Sequence, residues 1–304
     1  MNKRNLYGIA WVILAAAAFA TLDTVTKYIS AVVPFAVAMW FRFGFQVLST
    51  HLWLRRTRGA WGVKTQHLRL QIYRGILLSI SSILAFFSLK LIPVSDFTSL
   101  MMLTPLLMTV VAAVSLGERI SALRWILVLL GFVGAMAIIR PGHEAFTWGS
   151  LIPLVLVFTS AGFQMLTYKL AQVDDAATTH TYTGWIGFVL ATILLPMVIP
   201  ANWQAWDAVG SNVEQVFGLL LLIAVLATIG HGSLILGYAR APVAVLTPYL
   251  YIQIPFAVLG GWLVFAHQLD GWAVMGIVII LVSGVLGTWV AARERRKDIR
   301  IVVD

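Results

Sequence analysis

Ten apolar stretches of about 20 residues each, long enough to cross a bilayer as helices, leave this chain few ways to fold. They fall at roughly 6–29, 34–54, 72–91, 95–116, 123–140, 148–170, 180–200, 216–239, 243–266 and 272–292 of a 304-residue sequence that is 60% hydrophobic and 11% charged. In hydrocarbon, a helix satisfies all its backbone hydrogen bonds within itself, and a soluble domain of this length cannot bury so much apolar surface. The expected fold class is all-α, a polytopic membrane protein of ten transmembrane helices. The first stretch follows Lys3 and Arg4 as a secretory signal would, but removing it would leave an odd number of spans, so it is read as a span. With no cysteine, the chain has no disulfide, thiolate or cysteine-ligated metal chemistry.

The formal charge of +9 matters through its placement. Seventeen of the 21 Lys and Arg fall on alternate loops: Lys3 and Arg4; Arg55, Arg56, Arg58, Lys64, Arg69 and Arg74; Arg119 and Arg124; Lys169; Arg240; and five from Arg293 to Arg300. Lys90 and Arg140 lie on the opposite side, while Lys27 and Arg42 fall within spans. The positive-inside rule then puts both termini in the cytoplasm. The basic runs read as topology anchors beside anionic lipid headgroups. No aromatic residues are interleaved among them, so nucleic acid is not an expected partner.

The chain divides into two similar parts, 1–142 and 143–304, of five stretches each. Gly8, Ala20, Asp23 and Thr26 correspond to Gly149, Ala161, Gln164 and Thr167 at a constant offset of 141. The corner Ile92-Pro93-Val94 corresponds to Ala241-Pro242-Val243, Pro105 to Pro255 with one residue inserted, and Glu118 to His267. The charge pattern sets the Pro93 corner outside and the Pro242 corner inside, so the two five-helix repeats are inverted. That layout belongs to secondary transporters.

The run from Pro93 through Thr104-Pro105 to Leu116-Gly117-Glu118, followed by Gly131 and Gly134, resembles the half-repeat of the drug/metabolite transporter superfamily, and more narrowly the ten-helix EamA-type permeases. Phe41-Arg42-Phe43 is similar to that family's Phe-Arg element, and the second half departs from the pattern with His267-Gln268 in place of a Gly-Glu pair. The whole resembles bacterial amino-acid exporters, aromatic amino-acid exporters among them. The resemblance implies a central cavity walled by spans 1, 3, 4, 6, 8 and 9, with spans 5 and 10 peripheral. The two related halves are expected to rock about a midplane site, giving transport by alternating access. On that arrangement Phe86, Thr104, Gln164, His231, Tyr249, Tyr251 and Gln253 are the candidate substrate-binding residues.

The residues themselves add detail. A proline inside a span frees the carbonyl four residues earlier, so Pro105, roughly 15 Å into span 4 at the helical rise, and Pro255 in span 9 mark kinks or gates near the midplane. The carbonyls of Met101 and Tyr251 become candidate acceptors for a substrate ammonium, unless Thr104, Thr247 or water repacks the kinks. Ionisable residues at membrane depth must face the bundle interior. Asp23 and Lys27 share a face of span 1, with Arg42 at similar depth in span 2: either a neutralised ion pair, or a carboxylate that carries a proton or meets a substrate ammonium. His231, between Gly230 and Gly232, is a packing or a titrating residue, and Glu118 with Arg119 and Arg124 is an end-anchoring or gating cluster. Only Lys27 and Arg42 count as buried cations, too few for a polyphosphate.

Small residues at Gly276, Ser283, Gly284, Gly287 and Ala291 give span 10 a face for close helix approach, against span 5 or a second subunit; a homodimer is allowed and a monomer sufficient. No hydrolase, Walker-A or dinucleotide motif is present, so neither an enzyme nor a cofactor is expected. A membrane-embedded enzyme, a structural membrane subunit and a transporter of another metabolite or drug class remain the rivals. Export of neutral or aromatic amino acids is the expected activity.

Overall fold

The computed structural model describes residues 3–59, 63–116, 121–140, 148–198 and 213–303, and the regular structure among them is entirely helical. The helices are α1 (Lys3–Ile29), α2 (Phe35–Arg58), α3 (Leu68–Leu91), α4 (Val94–Met101), α5 (Leu103–Leu116), α6 (Ala122–Ile139), α7 (Ile152–Leu170), α8 (Ala176–Val198), α9 (Val213–Tyr238), α10 (Val243–Leu250), α11 (Gln253–Phe265) and α12 (Gly271–Val303), with a 3₁₀ turn at Trp148–Leu151. Among the described residues the ten apolar stretches thus form twelve helices, because two of them break.

Both breaks precede a proline. Pro105 cannot donate to the Met101 carbonyl, and α4 ends there: the Met102 amide bonds the carbonyls of Thr98 and Ser99, both at 3.2 Å, before α5 starts. Ahead of Pro255, α10 ends at Leu250 and the Ile254 amide closes a tight turn onto the Tyr251 carbonyl at 3.1 Å. That carbonyl therefore already has a donor, contrary to the expectation that it waits for a substrate.

Side-chain bonds fix which helix ends share a level. Arg4 bonds the Ala239 carbonyl and Gln172 the Tyr238 carbonyl, which brings the start of α1 and the ends of α7 and α9 together. Lys27 bonds carbonyls at the end of α3, and Arg140 pairs with Asp270 between α6 and α12 at the opposite level. These levels are called the basic end and the distal end below. The most extensive packing joins α1 to α9, α6 to α12, α2 to α8 and α3 to α7, followed by α9 to α2, α1 to α11, α3 to α8 and α5 to α7. Exchanging the first five stretches for the second five maps this set onto itself.

Among the described residues, five apolar segments are individually long and apolar enough to cross a membrane: α1, α3, α6, α9 and Val245–Phe265. Helices α2 and α8 carry polar side chains into the bundle, including buried Gln46 and Thr50 on one and Thr178, Thr179, His180, Thr181 and Thr183 on the other. Large apolar residues such as Leu129, Val133, Ile193, Leu263 and Val282 face outward, as lipid-facing positions should.

The small-residue face of α12 packs internally, with Gly276 on α6, Gly284 on Tyr251 and Gly287 on Leu106 of α5. A Cβ at Gly134 would lie 2.9 Å from the Gly276 carbonyl, and one at Gly276 would lie 2.6 Å from the Gly134 carbonyl. Gly276→Ala should therefore lower the thermal midpoint in detergent, by an overpacking cost of about 1–3 kcal/mol, whereas Gly218→Ala in α9, where a Cβ meets nothing within 4 Å, should leave it unchanged or raise it. At the distal end Asp270 caps α12, accepting from the Ala273 amide at 2.8 Å. That backbone hydrogen bond, with help from Arg140, holds the Asp270 carboxyl below its ordinary range. A depressed carboxyl stabilises the fold above its unfolded pKa and loses that effect as pH falls through the folded value. Asp270→Asn should thus cost stability at neutral pH, and the difference from wild type should vanish well below about pH 4.

Candidate functional site

Where α1, α2, α3, α4, α5, α7, α9, α10 and α11 converge, they line a cavity of about 180 Å³. Its polar wall carries Asp23, Thr26, Arg42, Ser81, Ser82, Thr104, Ser160, Gln164, His231 and Gln253, and its apolar wall carries Phe19, Phe86, Phe97 and Phe163 with Met39, Met101 and Met102. Helices α6, α8 and α12 contribute nothing to the lining, but α2 does, through Ala38, Met39 and Arg42. The expected wall of six spans is therefore seven.

Arg42 is tied to two other helices. Its Nη1 donates to Ser82 Oγ of α3 at 3.1 Å, and its Nη2 lies 3.3 Å from His231 Nε2 of α9. A guanidinium only donates, so His231 accepts at Nε2 and keeps its proton on Nδ1, a buried atom without a partner. Ser82 in turn donates to the Leu78 carbonyl at 2.7 Å. Phe19 and Phe163 meet the imidazole edge-on, with centroids 4.9 and 5.6 Å away. Across the cavity, the Asp23 carboxylate accepts from Gln253 Nε2 at 3.3 Å. Asp23 and Arg42 feel each other's charge without forming a direct ion pair. A buried carboxylate and a buried guanidinium thus face one space, each with hydrogen-bonding capacity in reserve.

Toward the basic end the space closes. Tyr238 donates to Gln164 Oε1 at 2.9 Å, its ring meets Tyr168 edge-on, and Ile9, Val12, Met108, Met165, Leu234 and Leu246 pack solidly around it.

Of the residues expected from the sequence, Phe86, Thr104, Gln164, His231, Gln253, Asp23, Arg42 and Pro105 line the cavity. Tyr249, Tyr251, Lys27 and Pro255 do not. Residues 249, 251 and 253 alternate as on a strand, but two steps along a helix turn about 200°, so the three cannot share a face. Tyr249 packs among the apolar residues of α1 and α9, and Tyr251 points away, its ring against Gly284 of α12. Lys27 extends to the distal end, where Nζ donates to the Leu89 and Ile92 carbonyls, both at 2.8 Å, and so caps α3. Glu118 lies outside the described residues.

Sequence reasoning misassigned Arg74. It belongs to no loop: it sits in α3 with 1% of its surface exposed, an enclosed cation that the count of Lys27 and Arg42 left out. The signal that could have revealed it is the run Thr178 to Thr183 around His180, polar residues that an apolar helix carries only where another polar group meets them.

Residues 6–140 match the EamA-like transporter family, the family whose half-repeat lies in this segment. The first half of the chain is thus an EamA-like transporter domain. Relatives extend the likeness over both halves. The chain is 27% identical over 300 residues to a riboflavin transporter of Rhizobium johnstonii, covering 97% of this chain and 94% of that protein. It is 26% identical to the pseudopaline exporter CntI of Pseudomonas aeruginosa, covering 91% and 94%, and 25% identical to an S-adenosylmethionine uptake transporter of Rickettsia felis, covering 92% and 91%. It is accordingly a transporter of small metabolites. A solved crystal structure at 17% identity superposes with a TM-score of 0.62 over 96% of this chain and 98% of the other, which shows the shared fold.

Tyr238→Phe tests the closure at the basic end. Losing the bond to Gln164 should lower stability by about 1 kcal/mol, the ordinary worth of a buried hydrogen bond, read as a lower thermal midpoint of the purified protein.

Proposed function

We propose that this protein carries an amino acid, or an amino-acid conjugate with an aromatic body, across the bacterial inner membrane by alternating access. The single observation behind this reading is the facing of Asp23 and Arg42 across a cavity walled by Phe19, Phe86, Phe97 and Phe163. A zwitterion supplies an ammonium to the carboxylate and Gln253, and a carboxylate to the guanidinium, Ser82 and His231, while its apolar body lies among the rings. Buried charges need partners, and the solute provides them in the cavity.

Two inverted halves, 1–142 and 143–304, with both termini in the cytoplasm, account for the paired helix packing, since exchanging the halves preserves the set of contacts. With the basic end cytoplasmic, the closed side is the inner one. One chain forms the whole cavity, so a monomer suffices. The chemistry is passage of an unmodified solute, not catalysis; gradients set the direction, and exchange is facilitated. A second reading is transport of riboflavin, favoured by two relatives named as riboflavin transporters, of Rhizobium johnstonii and Vibrio cholerae, at 27% and 26% identity over nearly the whole chain. A flavin ring fits the aromatic walls and needs no charge partner.

Counterflow in proteoliposomes with labelled L-tryptophan, L-phenylalanine, S-adenosylmethionine and riboflavin separates the readings. Exchange of the zwitterions is expected, and Arg42→Gln should slow it at least about tenfold, since a hydrogen bond to a charged group is worth about 1.5–3 kcal/mol. Exchange of riboflavin alone replaces the first reading with the second. Asp23→Asn should weaken zwitterion exchange without abolishing its pH dependence; loss of that dependence would make Asp23 a proton carrier instead.

A further inference from the structure

The interior holds a second cation that the cavity does not use. Arg74 projects from α3 into a compartment between α2, α3, α7 and α8, on the basic-end side of Phe163. Its Nε donates to Thr167 Oγ1 at 2.8 Å, and its Nη1 to the Thr179 carbonyl at 3.3 Å and to Thr183 Oγ1. All three acceptors are neutral. Among the described residues no carboxylate pairs with it; the nearby Asp174 is taken up by Thr65 and Gln71, with His67 beside it. A guanidinium enclosed in the bundle without a counter-charge is costly, and such residues mark solute paths.

The compartment has further unspent capacity. His180 lies within electrostatic reach of both Arg74 and Arg42, and its Nε2 is buried without a partner. Gln46 donates to the His180 carbonyl at 2.9 Å, which leaves its buried Oε1 unpartnered. Phe163 forms the partition. It lines the cavity and faces His231 on one side, while the Arg74 guanidinium lies 4.6 Å from its ring centroid. Arg42, His231, Phe163 and Arg74 therefore form a continuous line of contacts from the cavity toward the basic end.

We propose that Arg74, with Thr179, Thr183 and His180, is a second station for the carboxylate of the transported solute, reached from Arg42 when Phe163 swings aside. It rests on the transport reading but not on which zwitterion is carried. As the solute passes, its carboxylate leaves one guanidinium for the other, and Arg74 exchanges hydroxyl and carbonyl acceptors for a charged one.

The chain has no cysteine, so single cysteines report accessibility directly. Thr183→Cys and Thr179→Cys, in full-length protein in liposomes, are exposed from the basic-end side to two methanethiosulfonates of similar size, one bearing a sulfonate and one a trimethylammonium. An anion station predicts labelling by the sulfonate reagent at least tenfold faster than by the cation. Adding Arg74→Gln should erase that preference, and Arg74→Lys should keep most of it. Ser81→Cys in the cavity is the control for folding and for the cavity itself. If Ser81→Cys labels while neither threonine position does, or both reagents label those positions at equal rates, the second station is overturned and the cavity reading stands. If Ser81→Cys is inert as well, the transport reading itself fails.

Discussion

A guanidinium in the middle of a lipid-solvated bundle must find polar partners, and the Arg42 knot is where this fold meets that requirement. Because its bonds go to Ser82 and His231, one residue of α2 fixes the rotation of three helices. The rest of α2 follows: Gln46 and Thr50 recur at four-residue spacing on the Arg42 face, and both are buried. Helix α8 answers with its threonines and His180. The result is a polar seam inside an otherwise apolar protein, and the cavity lies beside its distal part.

The closed and open halves of the bundle are built differently. Toward the basic end, apolar side chains interdigitate around Tyr238 and exclude water. In the cavity, charged and aromatic groups face one another with space between them. Packing of this kind has discrete arrangements, not a continuous range, and the breaks at Met102 and at Tyr251–Ile252 give α4–α5 and α10–α11 places to absorb a change of angle. On the proposed account, solute binding between Asp23 and Arg42 relieves the cost of two buried charges in one state and tilts the balance toward the other.

Much of this was legible in the sequence, because hydropathy and proline act locally. The ten stretches, both helix breaks and the inward placement of Asp23, Arg42 and His231 follow from the aversion of hydrocarbon to exposed backbone and charge. Rotation about the helix axis was harder to read. Tyr251 looked equivalent to Gln253 until the helical turn separated them, and it fills the gap left by Gly284 instead. Lys27 has a stem long enough to leave the level of its own Cα and reach the end of α3. Arg74 was counted among loop charges because it stands only two residues inside its apolar run, whereas α3 begins at Leu68; only tertiary packing against α7 and α8 shows that it is enclosed.

The central claim is that one cavity serves both faces of the membrane. Ser160, which lines it from α7, offers the most direct measurement: Ser160→Cys in oriented membrane vesicles, treated with a membrane-impermeant thiol reagent from one side and then, in a separate sample, from the other. Alternating access predicts reaction from both sides, slowed from both by saturating solute. Reaction from one side only, whatever the solute gradient, would contradict the account.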